Sequence, residues 1–306
     1  MRKGFLLPAL LTTALLAACV STAPLPPPPA LPPPAPEPSA ATKAGQDYYR
    51  KVEANYLGQG RMREDGGGPD TPFTTRDLVE NFIAIAFYDE FTETNGALVA
   101  GGAESTLHRW QAPMRVALSF GASIPEDQRT ADRAALGEFT RHLARITGHP
   151  VVLTDRNPNH TVFILNPEER TSADALIRAA APQTSAAAIR SVEEMRPDIY
   201  CTAFTFSPGK SPVIDRAVSV IRGEMTPKLR ALCIHEELAQ SMGLINDSPR
   251  ARPSIFNDNE EFALLTRQDE LMLKMLYDPR LKPGMTLAEA RPIVEVIAAG
   301  LMGGES

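Results

Sequence analysis

A proline-rich tract near the start of the chain limits where a folded domain can begin. Ten of the fifteen residues from Pro24 to Pro38 are proline. Proline lacks a backbone N–H and has a fixed φ, so such a tract is excluded from helix interiors and central strands. It adopts an extended polyproline conformation of about 3.1 Å per residue. We interpret the tract as a semi-rigid spacer, with binding to a proline-recognising partner as the alternative.

The residues before this spacer have the three parts of a secretory signal peptide. Met1–Lys3 is cationic, Gly4–Leu16 is apolar but too short to cross a bilayer, and small residues then precede Cys19. This ending resembles the lipobox of bacterial lipoproteins, which implies cleavage after residue 18 and a lipidated Cys19. Plain secretion with a chance cysteine is the alternative. Val20, rather than an acidic residue, follows the cysteine, which by analogy implies the periplasmic side of the envelope and favours the outer membrane.

The rest of the chain divides into a linker and one large region. Residues 19–70 are expected to hold the lipid anchor, the spacer and, from residue 40, a linker or loosely docked arm with few large aliphatic side chains. Tyr48 and Tyr49 are the arm residues that could pack on the domain. Residues 71–306 are numerous enough for a single domain with a substantial core.

Charge and cysteine content exclude some partners and indicate a compartment. Without Arg2 and Lys3, the 31 basic residues fall to 29 against 37 acidic ones, a net charge of −8. We therefore expect no nucleic-acid partner. The two cysteines after Cys19 are Cys201 and Cys233. In an oxidising compartment such a pair predicts a disulfide, and two buried thiols that never meet are the alternative.

The apolar pattern predicts alternating helices and strands, and therefore a mixed α/β or α+β domain with a mixed sheet. A glycine-rich loop is predicted at residues 95–104. Helices are predicted at 75–89, 125–146, 172–181, 186–194 and 227–242, and strands at 114–118, 151–153, 161–165, 200–206 and 213–221.

The side chains best suited to chemistry lie at and just after the helix predicted at 227–242. His235-Glu236 begins like the His-Glu-x-x-His helix of zinc peptidases, in which two imidazoles one turn apart bind the metal. The residue four after His235 is Ala239. A methyl group cannot bind zinc, so this register fails.

The register one residue later is more informative. Glu236 and Gln240 are four residues apart and lie about 40° from each other around a helix, with Glu237 in the position of a general base. Gly243 follows where the metzincin class of zinc peptidases has the glycine that turns the chain. His235 lies about 140° from Gln240, so we expect a packed or partly exposed histidine rather than a ligand.

Further matches to metzincins follow in the same order along the chain. Asn246 has the spacing of their third ligand, Ser254–Asp258 resembles their Met-turn with Phe256 in place of methionine, and residues 265–277 resemble their final helix. This resemblance implies a zincin or metzincin-like single domain built around a central helix of the active-site type. Its ligands, however, are altered.

A narrower resemblance covers about residues 73–285. It rests on five segments that together are similar to a proteobacterial lipoprotein family catalogued as domain of unknown function 2927. The family implies a lipoprotein without an assigned activity. The segments are Asp77–Phe82, Leu107–Trp110, Glu236–Leu244, Ser254–Asp258 and Tyr277–Arg280.

The altered ligands argue against zinc. Glu236, Gln240 and Asn246 offer one carboxylate and two neutral amides, whereas zinc prefers imidazole and thiolate. We expect no cofactor, and a buried polar network of these three side chains in place of the metal. The alternative is a harder ion held by Glu236, Asp247 and Asp258.

Two functional hypotheses follow. The first is a pseudoenzyme, in which a degenerate domain binds an envelope protein, a peptide or a cell-wall partner through the former substrate cleft. The second is an active metal-dependent hydrolase of peptides or cell wall, with zinc or another divalent metal and with Glu237 as general base. A purely structural tether is a third and weaker possibility, because the domain is larger than anchoring needs.

Overall fold

The computed structural model describes Met1 and residues 36–303. The signal peptide, Cys19 and nearly all of the proline spacer lie outside the residues that can be described. Residues 36–303 belong to one compact unit. Within these residues, no helix combines the length and the hydropathy that a membrane span requires.

The described residues contain nine helices and nine strands. The strands are β1 Tyr88–Thr94, β2 Ala97–Glu104, β3 Arg109–Trp110, β4 Met114–Phe120, β5 Val151–Leu153, β6 His160–Leu165, β7 Cys201–Phe206, β8 Val213–Ile214 and β9 Arg216–Arg222. The helices are α1 Ala40–Gly58, α2 Thr75–Ala86, α3 Glu126–Thr147, α4 Pro167–Arg170, α5 Asp174–Ala180, α6 Ala186–Glu193, α7 Pro227–Ser241, α8 Arg267–Leu276 and α9 Leu287–Met302.

A five-stranded mixed sheet in the order β5-β4-β6-β9-β7 forms the centre of the fold. The first four strands in this order are parallel, and β7 is antiparallel to β9, with Phe204 opposite Val218. The central strand β6 is apolar and buried along most of its length, as a parallel strand covered on both faces should be. The mixed α/β class expected from the sequence is confirmed.

The two faces of the sheet pack against different layers of side chains. Val162 and Ile164 of β6 belong to the main core, whereas Phe163 and Leu165 belong to a second cluster with Ile177 of α5. Successive residues of a strand point to opposite faces, so this alternation places helices on both sides of the sheet. Helix α7 lies on the main-core side of the sheet, where it packs against β9 and the edge strand β7.

The prediction of a glycine-rich loop at residues 95–104 is wrong. Residues 97–104 form β2, which pairs antiparallel with β1 in a hairpin, and the helix expected to reach residue 89 ends at Ala86. The turn is Asn95-Gly96, and both residues have positive φ, 53° and 73°. Asparagine followed by glycine is the pair that favours such a two-residue hairpin turn, and this local preference outweighs the glycines of the second strand.

The arm before residue 71 contains helix α1, which packs on the domain, and is therefore more than a linker. Ser39 caps helix α1 by accepting a hydrogen bond from the Thr42 N–H. Tyr49 is buried, and its hydroxyl donates to the Pro197 carbonyl at 3.0 Å, while Tyr48 remains exposed. The Tyr56 and Tyr200 hydroxyls are 2.9 Å apart. The folded unit therefore begins well before residue 71, because the arm is docked by its aromatic side chains.

Candidate functional site

Helix α7 forms the floor of the candidate site and is fixed at its start. Thr226 caps the helix by accepting from the Leu229 N–H, and Pro227 occupies the first turn, where no N–H partner is needed. Cys233 of this helix and Cys201, the first residue of β7, form the disulfide predicted from the sequence, with Cα atoms 5.9 Å apart. Helix and edge strand are therefore covalently joined.

The end of α7 is held by residues from two of the family-like segments. The Trp110 indole N–H donates to the Ser241 carbonyl at 2.7 Å, and the Tyr277 hydroxyl donates to the Met242 carbonyl at 3.0 Å. The last carbonyls of a helix lack partners within the helix, so these donors complete it. Gly243 then leaves the helix with φ 124°. Segments Leu107–Trp110 and Tyr277–Arg280 thus contribute to the structure that ends α7.

The turn Ser254–Asp258 is tied to α8 by one buried carboxylate. Asp269 accepts hydrogen bonds from the Ser254 hydroxyl at 2.5 Å and from the Ile255 N–H at 3.1 Å, and also caps α8 through Thr266. Phe256 is fully buried. The turn therefore has a fixed position, from which the exposed Asp258 reaches α7.

Three carboxylates from three segments meet above α7. Glu236 of the helix, Asp247 of the loop after it and Asp258 of the turn each place an oxygen within 4.8 Å of the other two. We name these three residues the acidic cluster. Glu90 of β1 lines the same cavity.

The predicted site residues Gln240 and Asn246 lie in different parts of the structure, and only Gln240 contacts the acidic cluster. The Gln240 amide donates to both Asp247 oxygens, at 3.2 and 3.3 Å, and so orients that carboxylate. The Asn246 amide instead donates to the Ala84 carbonyl of α2 at 2.8 Å. Gln240 therefore joins the acidic cluster, whereas Asn246 anchors the loop elsewhere, and the three-residue network expected in place of the metal does not form.

His235 is packed, as expected. Its ring stacks on Phe139 with centroids 3.9 Å apart, and its Nδ1 accepts from the Leu265 N–H at 3.2 Å. Burial lowers the pKa of His235 to about 3. The ring is thus a neutral part of the core, on a different face of α7 from the acidic cluster.

Glu237 is the most enclosed acid of the site. The residue is 4% exposed, and its Oε2 has no hydrogen-bond partner among residues 36–303. Burial, followed by the nearby charges of Glu90 and Asp247, raises the pKa of Glu237 well above its ordinary value. The carboxyl group therefore favours its protonated form.

Three further acids that line the cavity share this behaviour. Burial first, and then neighbouring negative charge, raises the pKa of Asp247 to about 7 and of Glu90 to about 8. The same causes raise the pKa of Glu236. No lysine, arginine or histidine is among the described residues that line the cavity. Because like charges this close cannot all ionise unaided, the cavity retains protons or takes up a cation.

Two adjoining cavities form a groove along β7. The smaller, of about 190 Å³, contains the acidic cluster, and the larger, of about 490 Å³, extends past Phe204 and Phe206. Both are lined by Glu90, Phe91 and Gln240. The edge strand β7 is therefore one wall of the groove, the β1–β2 hairpin is the other, and α7 is the floor.

The donors at this site do not fit zinc. The acidic cluster supplies only carboxylate oxygens, and His235 is turned away from it. Cys201 lies within 4.8 Å of Glu236 and Glu237, but its sulfur is committed to the disulfide. Zinc favours imidazole and thiolate, so no zinc-dependent step is assigned to this site.

Sequence reasoning missed one contributor to the site. Glu90 lies in a strand that was expected to be partly helix and that enters the cavity from a distant part of the chain. No spacing rule connects a strand residue to a helix 146 positions later. The only local signal was the Asn95-Gly96 turn, which positions the hairpin that carries Glu90.

Comparison with known protein families matches residues 75–296 to the family described as "Protein of unknown function (DUF2927)". Neither the curated proteins nor the solved structures contain a match to this chain. The matched range includes α2 through most of α9 and therefore the whole acidic cluster. The chain belongs to the DUF2927 family of proteins of unknown function.

Proposed function

We propose that the chain is a lipid-anchored protein of the bacterial envelope whose folded domain is a non-catalytic relative of the metzincins. The signal pattern ending at Cys19 supports the anchor, on the periplasmic side and most simply at the outer membrane. The Cys201–Cys233 disulfide fits an oxidising compartment of this kind.

The metzincin relationship is supported by the order of features after α7. The helix ends in the turn glycine Gly243, Ser254–Asp258 forms a fixed turn, and α8 follows with a capping box at Thr266. These features match the order that the sequence resemblance implies. The zinc ligands of such enzymes have no counterpart among the donors at the acidic cluster.

The observation that supports a binding role is that β7, an edge strand of the sheet, lies beside the groove. Among the described strands β7 pairs only with β9, so its other edge has no strand partner, and residues 203–206 line the groove between β7 and the hairpin. An exposed strand edge pairs readily with an extended peptide, whose backbone supplies the missing hydrogen bonds. We assign the groove to an extended segment of an envelope protein or peptide.

A photo-cross-linking residue in β7 tests this assignment. Thr205 lines the larger cavity, whereas Val152 lies on β5, the opposite edge strand of the same sheet, and is also exposed. In cells that produce the protein, we expect the residue at position 205 to cross-link to one envelope protein. The residue at position 152 should not cross-link to that protein. Equal cross-linking from both positions, or none from 205, would contradict groove binding.

The alternative function is a hydrolase with Glu237 as general base. The unpartnered Oε2 inside the cavity is the observation that favours it. The raised pKa of Glu237 opposes it, because a protonated carboxyl group cannot accept a proton. Peptidase or wall-degrading activity that Glu237→Gln abolishes would establish the alternative. Stoichiometric zinc, removable by chelator and restorable with the metal, would also contradict the non-catalytic assignment.

A further inference from the structure

The acidic cluster has the dimensions of a cation site. Glu236, Asp247 and Asp258 each place one oxygen within 4.8 Å of the others. Oxygens bound to Ca²⁺ at about 2.3–2.6 Å lie at most about 5 Å apart, when they are on opposite sides of the ion. One Ca²⁺ can therefore reach all three carboxylates with little movement of the backbone.

The surroundings of the cluster favour a cation that prefers oxygen. The three ligands come from α7, the following loop and the turn at Ser254–Asp258, and Gln240 already orients Asp247. Cys201, whose sulfur lies near Glu236, is committed to the disulfide with Cys233. Carboxylate ligands, in a cavity whose described lining residues include no histidine, suit calcium better than zinc. The cavity, of about 190 Å³, has room for the waters that complete such a coordination sphere.

An independent observation points to a bound species. Oε2 of Glu237 is buried in a residue that is only 4% exposed, lines the same cavity and has no hydrogen-bond partner within the described residues. A buried polar atom without a partner is costly. Water ordered by a cation next to Glu236 would supply a donor for this oxygen.

We infer that the acidic cluster binds one divalent cation of the calcium type through Glu236, Asp247 and Asp258, with Gln240 as a positioning residue. The cation joins α7 to the loop and the turn that follow it, in a cavity that Glu90 also lines. This inference does not depend on the groove binding a peptide.

Calcium titration of the full-length chain tests the site. The chain, purified in detergent and freed of metal by chelator, is expected to bind one Ca²⁺ with a dissociation constant of about 10⁻⁵–10⁻³ M by calorimetry. Asp258→Asn is expected to weaken binding at least about tenfold, since it removes one of three charged ligands. Asp258 is exposed, so this variant should fold, as circular dichroism would verify.

A matched control separates a built site from general attraction to an acidic protein. Asp155 is an exposed aspartate outside the cluster, and Asp155→Asn should bind Ca²⁺ as the unaltered chain does. No saturable binding up to about 10 mM Ca²⁺, or equal affinity in Asp258→Asn and Asp155→Asn, would overturn the inference. Cross-linking from position 205 without calcium binding would reject the cation site alone, and calcium binding without cross-linking would reject only the peptide groove.

Discussion

The carbonyl oxygen of His108 lies closer than 3.0 Å to the point where a side chain on Gly243 would begin. Gly243 also has φ 124°, a conformation that residues with a Cβ rarely adopt. Both constraints act where α7 ends and the loop that carries Asp247 begins. The glycine of the family-like motif is therefore explained by space and backbone geometry, independently of any chemistry at the site.

Gly243→Ala is expected to lower the free energy of unfolding by about 2 kcal/mol or more, because the methyl group meets backbone and the φ angle becomes strained. Urea denaturation measures the change. Gly300→Ala is the matched control, since Gly300 lies in α9 with open space around its Cβ position. That variant should be neutral or stabilising by about 0.5–1 kcal/mol. Equal effects of the two substitutions would refute the explanation.

Removing the disulfide should destabilise the domain. Cys201 and Cys233 are separated by 32 positions, and closing a loop of this size restricts the unfolded chain. The double variant Cys201→Ala, Cys233→Ala should lose about 2–4 kcal/mol in the free energy of unfolding. Thiol titration of unfolded, non-reduced protein gives a direct control. Finding both cysteines free would show that the bridge does not form.

Neutral His160 should contribute stability that is lost on mild acidification, opposite in sign to the contribution of the site's acids with raised pKa. This histidine is fully buried, its Nε2 lies 2.8 Å from the Ser219 hydroxyl, and burial lowers its pKa to about 3. The unfolded chain takes up a proton near the ordinary histidine pKa of about 6.5, and the folded chain does not. The contribution of neutral His160 to the free energy of unfolding is therefore complete above about pH 6.5. It is lost as the pH falls toward 3, by at most about 1.4 kcal/mol per pH unit.

His160→Gln should remove this dependence without adding a charge. Denaturation at several pH values between about 7 and 5 should show that the free energy of unfolding, relative to its value at about pH 7, is higher in the variant than in the unaltered chain at the lower pH values. The pKa of His235 is lowered in the same direction, so the double variant with His235→Gln should differ from the unaltered chain by more in the same direction. An unchanged slope in both variants would contradict the assignment to these rings.

Cys19→Ser tests the lipid anchor. The unaltered chain is expected in the membrane fraction, and the variant should lose incorporation of labelled fatty acid and appear in the soluble periplasmic fraction, because no acyl chain remains. The Cys201→Ala, Cys233→Ala variant serves as control and should stay with the membrane. Fatty-acid labelling that survives Cys19→Ser would contradict the anchor.

Much of the fold was accessible from the sequence because its helices and strands are strongly periodic. Helix α3 and the strands β4, β5 and β6 were predicted within two residues at each end. The hairpin was missed because Gly101 and Gly102 resemble a loop, although Asn95-Gly96 specified the turn. Helix α1 was missed because its stability comes from docking of Tyr49 and not from a strong apolar face.

The site was only partly predictable. The sequence suggested Glu236, Asp247 and Asp258 as one possible site for a harder ion because they offer carboxylate oxygens, and the structure brings them together. Asn246 was named by its spacing from Glu236, but the loop turns its amide toward α2. Glu90 comes from β1, and contacts across so long a stretch depend on the tertiary fold.

The position of the Cys201–Cys233 bridge affects when the groove can acquire its final shape. The bridge joins the first residue of the edge strand to the helix beneath it. Thiols remain reduced in the bacterial cytoplasm and oxidise after export. On the proposed export route, β7 and α7 would therefore become covalently joined only after the chain has crossed the inner membrane, so the groove would take its final shape outside the cytoplasm.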